Sequence, residues 1–314
     1  MVKTDILGRS YKAMVLQLPD DEEGKVIATL VRRKPRRKSK KAVLYIHGYT
    51  DYFFQTEMAD KYIENKFNFY ALDLRKYGRS LLPHQTPNFC KNVEEYFAEI
   101  NWAVECMRND GNEQILLNGH STGGLVSALY AHHVREKNPF TALFLNSPFF
   151  EFNENFLARK LFTEIVSVIA EKDPYRKLPR GISELYAHSV HKDFQGEWDF
   201  NTDWKPIHGF DLYAGWLWAI AEGHKTLQAG LDIPCPVLVM FSDKSCSVSE
   251  WDDQLLVSDS ILNVEHISKY ADVLGDHITK IRIKDGMHDL VLSKPYVRAN
   301  VYRYLFQWLR AYIV

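Results

Sequence analysis

The sequence predicts an α/β protein: a mostly parallel central sheet with helices on both faces, an antiparallel hairpin at one edge, and an inserted segment over the sheet. Three observations carry this reading. Short apolar runs alternate with segments whose apolar residues recur at helical spacing, the pattern of βαβ units. That alternation stops between Pro148 and Pro234 and then resumes. A glycine-flanked serine, Ser121, stands where an apolar run gives way to a helical pattern.

The elements follow in order. Residues 11–18 (YKAMVLQL) and 25–32 (KVIATLVR) are strand-like and joined by the acidic turn Pro19 to Gly24, which makes a hairpin. Ala42 to Ile46 is a short buried strand, and Phe67 to Leu74 is another. Val93, Phe97, Ile100, Val104 and Met107 give one apolar helical face. Ile115 to Leu117 is a strand, Leu125 to Val134 a helix and Thr141 to Leu145 a strand. Strands at Pro236 to Phe241 and Ile278 to Ile283 follow, and Val301, Leu305, Trp308 and Tyr312 mark a final helix. The expected organisation is core (1–147), inserted cap (148–233) and core again (234–314). An open parallel sheet binds ligands at the carboxyl ends of its strands, and an insertion leaving the strand at Asn146 would stand over that edge.

Composition excludes several classes. With 314 residues, 46% apolar and 25% charged, the chain is neither disordered nor fibrous. A net charge of −1 gives no global field for nucleic acid or membrane. The run Arg32 to Lys41 (RRKPRRKSKK) reads either as a polyanion or nuclear-import patch or as a solvated turn around Pro35. Its brevity and strand-like flanks favour the turn. Cys90, Cys106, Cys235 and Cys246 show no metal or redox spacing, which suits a reducing compartment. The opening MVKTDILGRSYK lacks an apolar leader, and no run approaches the roughly 20 residues that span a bilayer. The expectation is a soluble cytoplasmic protein of unspecified oligomeric state.

The chemistry centres on Gly119-His120-Ser121-Thr122-Gly123, a G-x-S-x-G sequence. A serine lifted above a sheet on a strained turn crowds the residues two before and two after it, so both must be small. A hydroxyl is a poor nucleophile without a base and an acid that orients the base. With the order serine, acid, histidine, the candidates are Asp243, just past the strand ending at Phe241, and His288, in the loop after Ile283. Asp252, Asp253, His266 and His277 are less well placed, and His120 is expected to point away from the serine. Backbone N–H groups of Thr122 and Tyr49 are the candidate oxyanion hole, with His47 as a structural hydrogen bonder.

IHGYT, DLRKYGRS, NGHSTGGL, FSDKS and DGMHDL, in this order, resemble the α/β-hydrolase superfamily. The pattern is most similar to the monoacylglycerol lipase, lysophospholipase and serine aminopeptidase-like group. The resemblance implies ester or related acyl hydrolysis through an acyl-serine, with no cofactor and no metal, and makes the insertion a substrate-selecting cap. Two departures stand out. Lys76 occupies a position where the group's D-x-x-G-x-G-x-S motif has glycine. The interval from Asp243 to His288 is long, which implies extra structure within Trp251 to His277.

The insertion holds four tryptophans, Trp198, Trp204, Trp216 and Trp218. They either pack the cap on the sheet or line an acyl or aryl pocket, for which Phe149, Phe150 and Trp216 are the candidate substrate-binding residues. His188, His191 and Asp193 have a spacing compatible with zinc, but one common by chance; holding cap loops together is the favoured role. The expected partner is a small-molecule ester, with no nucleic acid and at most transient lipid contact. An amidase or aminopeptidase of the same fold, or a non-catalytic binding protein, are the alternatives.

Overall fold

The computed structural model describes residues 2–313 apart from 36–37, 154–155 and 179–183. In chain order its elements are β1 (Val2–Asp5), β2 (Gly8–Asp21), β3 (Gly24–Arg33), β4 (Lys41–Ile46), α1 (Thr56–Glu64), β5 (Asn68–Asp73), α2 (Phe97–Asn109), β6 (Gln114–His120), α3 (Thr122–His133) and β7 (Ala142–Asn146). Three helices follow: α4 (Phe156–Lys172), α5 (Glu184–Val190) and α6 (Ala214–Gln228). The chain then forms β8 (Val237–Ser242), α7 (Val264–Ala271), β9 (Ile278–Ile283) and α8 (Pro295–Leu309).

The strands make one sheet in the order β1-β2-β3-β5-β4-β6-β7-β8-β9. The first three pair antiparallel, β3 joins β5 antiparallel, and β5 through β9 run parallel. The α/β class and the edge hairpin are as expected from sequence, with β1 added outside the hairpin. The acidic turn is tighter than expected: β2 reaches Asp21, leaving Glu22-Glu23 before Gly24 at φ +104°.

Alternation along the buried strands feeds two cores. Leu44, Ile46, Leu117, Leu145 and Val239 face α2, α3 and α6 on one side. Val43, Tyr45, Leu116, Phe144 and Met240 face α1 and α8 on the other. This is the two-residue period of a pleated strand, and both faces are covered, as a parallel sheet requires.

Between β7 and β8 the chain leaves the sheet. A third apolar cluster joins this segment (Val190, Phe200, Trp198, Trp204) to the loop after β4 (Tyr52, Phe54) and the loop after β9 (Met287, Leu292). The segment therefore packs over the carboxyl ends of the strands.

Four residues of the basic run form ion pairs. Arg32 and Lys34 meet Asp110, Arg33 meets Asp60, and Lys40 meets Glu113. Residues 36–37 lie outside the described set. Lys76 adopts φ +64°, the left-handed region that favours the glycine usual at this motif position. Its buried ammonium is neutralised by Asp21 and Glu23 of the hairpin turn.

Candidate active site

Strand β6 ends at His120 and helix α3 begins at Thr122, so Ser121 alone makes the turn, at φ 52° and ψ −118°. That conformation is disfavoured for an L-residue and marks stored strain. The small neighbours make it feasible. A Cβ on Gly119 would lie 2.4 Å from the Gly123 carbonyl oxygen, and one on Gly123 would lie 2.3 Å from the His47 oxygen. The crowding inferred from G-x-S-x-G is thus present, and it presses the start of α3 against the end of β4.

Ser121 Oγ lies 3.0 Å from His288 Nε2. His288 Nδ1 lies 2.9 Å from Asp259 Oδ2. Asp259 is fully buried, and its other oxygen accepts the Ile261 and Leu262 N–H groups at 2.9 and 2.8 Å. A serine, an imidazole and a carboxylate thus form one hydrogen-bonded line, in the order serine, acid, histidine along the chain.

The carboxylate bonded to His288 is Asp259 and not the expected Asp243. The Asp243 carboxylate accepts the Asp285 N–H at 3.0 Å, bracing the turn that leads to His288. After β8 the chain makes an excursion and returns, with Asp259 N–H donating to Lys244 O and Cys246 N–H to Asp259 O. The return brings a second acid to the same sheet edge. The long interval before His288 was the sequence signal for this excursion. Asp252 only caps a short helical turn, and His277 bonds Tyr312.

The oxyanion candidates lie beside the serine. Thr122 is the first residue of α3, where an N–H has no intrahelical acceptor and the helix dipole favours negative charge. Gly48 approaches so closely that a Cβ there would sit 3.2 Å from the Ser121 Cβ. Gly48, Tyr49 and Thr122 all line the cavity at Ser121. His47 accepts the Leu74 N–H on Nε2 at 3.1 Å and meets Gly48 O through Nδ1 at 2.8 Å, holding this loop. Burial pushes its pKa down.

His120 does not point away, contrary to expectation. Its ring lies 4.9 Å from that of His288 and faces the cavity. Nδ1 is 3.1 Å from the Asn146 carbonyl, which can only accept, so Nδ1 carries the proton. Burial lowers its pKa, and the ring is neutral near pH 7. Asp51, His120 and Asp289 bring one ligand atom each within 4.8 Å of one another and could hold a cation. However, Asp51 already has the Lys205 ammonium at 2.9 Å. In the inserted segment, His191 Nδ1 accepts the Asp193 N–H and His188 stacks on Phe194, so the histidines of the zinc-like spacing brace a turn. Burial pushes the Cys90 and Cys235 thiols up to about 12, so neither is a thiolate near neutral pH.

The cavity, about 210 Å³, is walled by Phe149, Phe152, Leu212, Trp216, Leu217, Ile261 and Leu262, with Asp51, Lys205 and His120 among its polar groups. Phe149 and Trp216 are where the sequence suggested. Phe150 is not: it is 1% exposed within the core under the sheet face. Successive residues after β7 point to opposite sides, so only one of the pair can face the ligand.

The fold has known counterparts. The monoglyceride lipase of Saccharomyces cerevisiae, solved with a substrate analogue, superposes with a TM-score of 0.68 at 14% identity, covering 95% of each chain. The monoacylglycerol lipase of Paleococcus ferrophilus gives 0.62 at 14%, covering 96% of this chain and 99% of that one. Est1E of Butyrivibrio proteoclasticus, with ferulic acid bound, gives 0.59 at 15%, covering 95% and 99%. No curated protein matches the chain in sequence. Residues 37–256 match the model of the family described as Hydrolase_4, serine aminopeptidase S33, and the chain therefore belongs to that family of α/β-hydrolases.

Proposed function

We propose that this protein is a cytoplasmic serine hydrolase that cleaves carboxylic esters with an apolar acyl or aryl group. Ser121, His288 and Asp259 are its catalytic residues, and Thr122 and Tyr49 supply the oxyanion hole. The observation that carries this is the line from Ser121 Oγ through His288 to Asp259, opening into an apolar cavity. His288 Nε2 takes the serine proton as Oγ attacks the carbonyl carbon. Asp259 holds the Nδ1–H tautomer and stabilises the imidazolium. The tetrahedral oxyanion is met by the two backbone N–H groups, each such donor being worth about 3–4 kcal/mol in comparable sites. Collapse expels the alcohol, which takes the proton from Nε2. Water then repeats the sequence on the acyl-serine and releases the acid.

Esters are favoured over peptides with a free amino terminus by the charge of the site. An aminopeptidase needs a carboxylate for the substrate's ammonium. Asp51 is the only carboxylate among the described residues lining the cavity, and Lys205 occupies it. Two of the structural neighbours are lipases of monoglycerides, which supports this ranking. The four cysteines are free, which suits a reducing compartment. No helix among the described residues is long and apolar enough to cross a membrane.

The test is labelling by a fluorophosphonate probe followed by a panel of p-nitrophenyl esters and aminoacyl anilides. Wild type should be labelled and hydrolyse the esters, and Ser121→Ala should do neither. Hydrolysis of the anilides alone would make it an amidase, and a folded, unlabelled wild type would make it a binding protein.

A further inference from the structure

Lys205 lies in the segment between β7 and β8, is only 8% exposed, and lines the cavity. Its ammonium donates to Asp51 Oδ1 at 2.9 Å and to the Thr50 carbonyl at 3.2 Å. Burying a lysine is unfavourable unless its donors are met, and here both identified acceptors belong to the loop after β4. That loop is strained: Thr50, a β-branched residue, sits at φ +47°. Each polar group of Thr50 is held from outside the loop. Its N–H donates to Asn88 Oδ1 at 3.0 Å, its carbonyl accepts from Lys205, and its Oγ1 accepts the Phe210 N–H at 3.5 Å. The preceding residue is held too, since Tyr49 OH donates to Asp211 O at 2.8 Å and its ring lies 4.1 Å from that of Trp216.

We propose that Lys205 is a positioning residue for the oxyanion hole, fixing from the inserted segment the strained Thr50 backbone and, through it, the Tyr49 N–H. The inference rests on the serine-hydrolase reading above. The element that walls the substrate cavity then also sets the catalytic geometry, so that filling the cavity and aligning the donor are linked. Misplacing a group by about 1 Å can lower a rate by about 10²-fold. The effect should fall on the transition state, because the oxyanion exists only there.

The experiment compares wild type, Lys205→Gln and Lys205→Met on a p-nitrophenyl ester, together with inhibition by a phenylboronic acid, which forms a tetrahedral serine adduct. Glutamine keeps a donor for Thr50 O, and methionine keeps only the stem. The expected result is kcat lowered roughly 10- to 100-fold in Lys205→Met, less in Lys205→Gln, with KM within about threefold and boronate affinity falling in parallel with kcat. Should the methionine variant fail to fold, the glutamine variant must still show the kcat and boronate losses together. Unchanged kcat, or a change confined to KM, overturns the role of Lys205 while leaving the hydrolase intact. An unreactive wild type removes the hydrolase reading itself, and the Lys205 role with it.

Discussion

Asp259 Oδ2 lies 2.9 Å from His288 Nδ1, while the acid nearer the end of β8, Asp243, spends its carboxylate on the Asp285 N–H. The two acids therefore predict opposite outcomes. Asp259→Asn leaves the imidazole without its acceptor and favours the wrong tautomer; kcat should fall by about 10⁴-fold with KM little changed. Asp243→Asn keeps an oxygen for the Asp285 N–H and should stay within about threefold of wild type. Steady-state kinetics on one p-nitrophenyl ester decides the assignment, and equal losses in both variants would refute it.

The turn at Ser121 makes a second prediction. A methyl group at Gly123 would meet the Ile46 and His47 carbonyl oxygens at 2.4 and 2.3 Å, and these are backbone atoms that no rotamer change can move. Gly123→Ala should therefore separate α3 from β4 and abolish fluorophosphonate labelling, with destabilisation of several kcal/mol by urea unfolding. Gly111→Ala, where a Cβ has open space but φ is +85°, isolates the cost of backbone strain alone and should lose about 1–2 kcal/mol with labelling intact.

How far the sequence reached depends on whether a feature is local. The buried strands were legible because both faces are covered, leaving continuous apolar runs such as Ala42 to Ile46. Ser121 and its glycines were legible because one steric demand fixes residues two apart. The carboxylate that meets His288 was not: Asp259 reaches it only after an excursion from β8, and proximity to a strand end favoured Asp243. The edge strand β1 escaped because Val2 and its neighbours are exposed and carry no alternation. Phe150 and Phe149 could not be told apart without knowing which side of the chain faces the cavity. The Lys205–Asp51 pair joins residues 154 apart, and nothing in either neighbourhood announces it.

Acid should weaken the fold in a defined window. Burial lowers the pKa of His47 and His120 below 6.5, first through desolvation, while the unfolded chain binds protons at these residues near 6.5. Below that pH the unfolded state therefore carries more protons than the folded one. Stability is full above about pH 7 and is lost as pH falls through 6.5, by up to about 1.4 kcal/mol per pH unit for each proton taken up. His47→Asn removes one of these uptake sites. It should be less stable than wild type at pH 8, having lost an acceptor for the Leu74 N–H, yet show a shallower decline between pH 7 and 5. Urea unfolding across this range measures both effects, and parallel pH profiles would exclude His47 as a source of the decline.

The aromatic wall should set acyl length. Phe149 is held through its backbone, with its N–H on the Ser121 carbonyl at 3.0 Å and its carbonyl on His224 Nε2 at 2.9 Å, so truncating the ring leaves the chain in place. Phe149→Ala should then admit longer acyl chains. Each added methylene buried in the enlarged cavity contributes about 0.8 kcal/mol, or about fourfold in kcat/KM, beyond the length at which wild type stops gaining. Trp216→Ala opens the same cavity but removes the ring packed on Tyr49 at 4.1 Å, so it should also lower kcat for every ester. Phe150→Ala removes a core side chain; it should cost about 3–5 kcal/mol of stability without altering chain-length preference. A p-nitrophenyl ester series from two to twelve or so carbons, run beside urea unfolding, separates the three. A change of acyl preference in Phe150→Ala, with none in Phe149→Ala, would reverse the assignment of which ring meets the substrate.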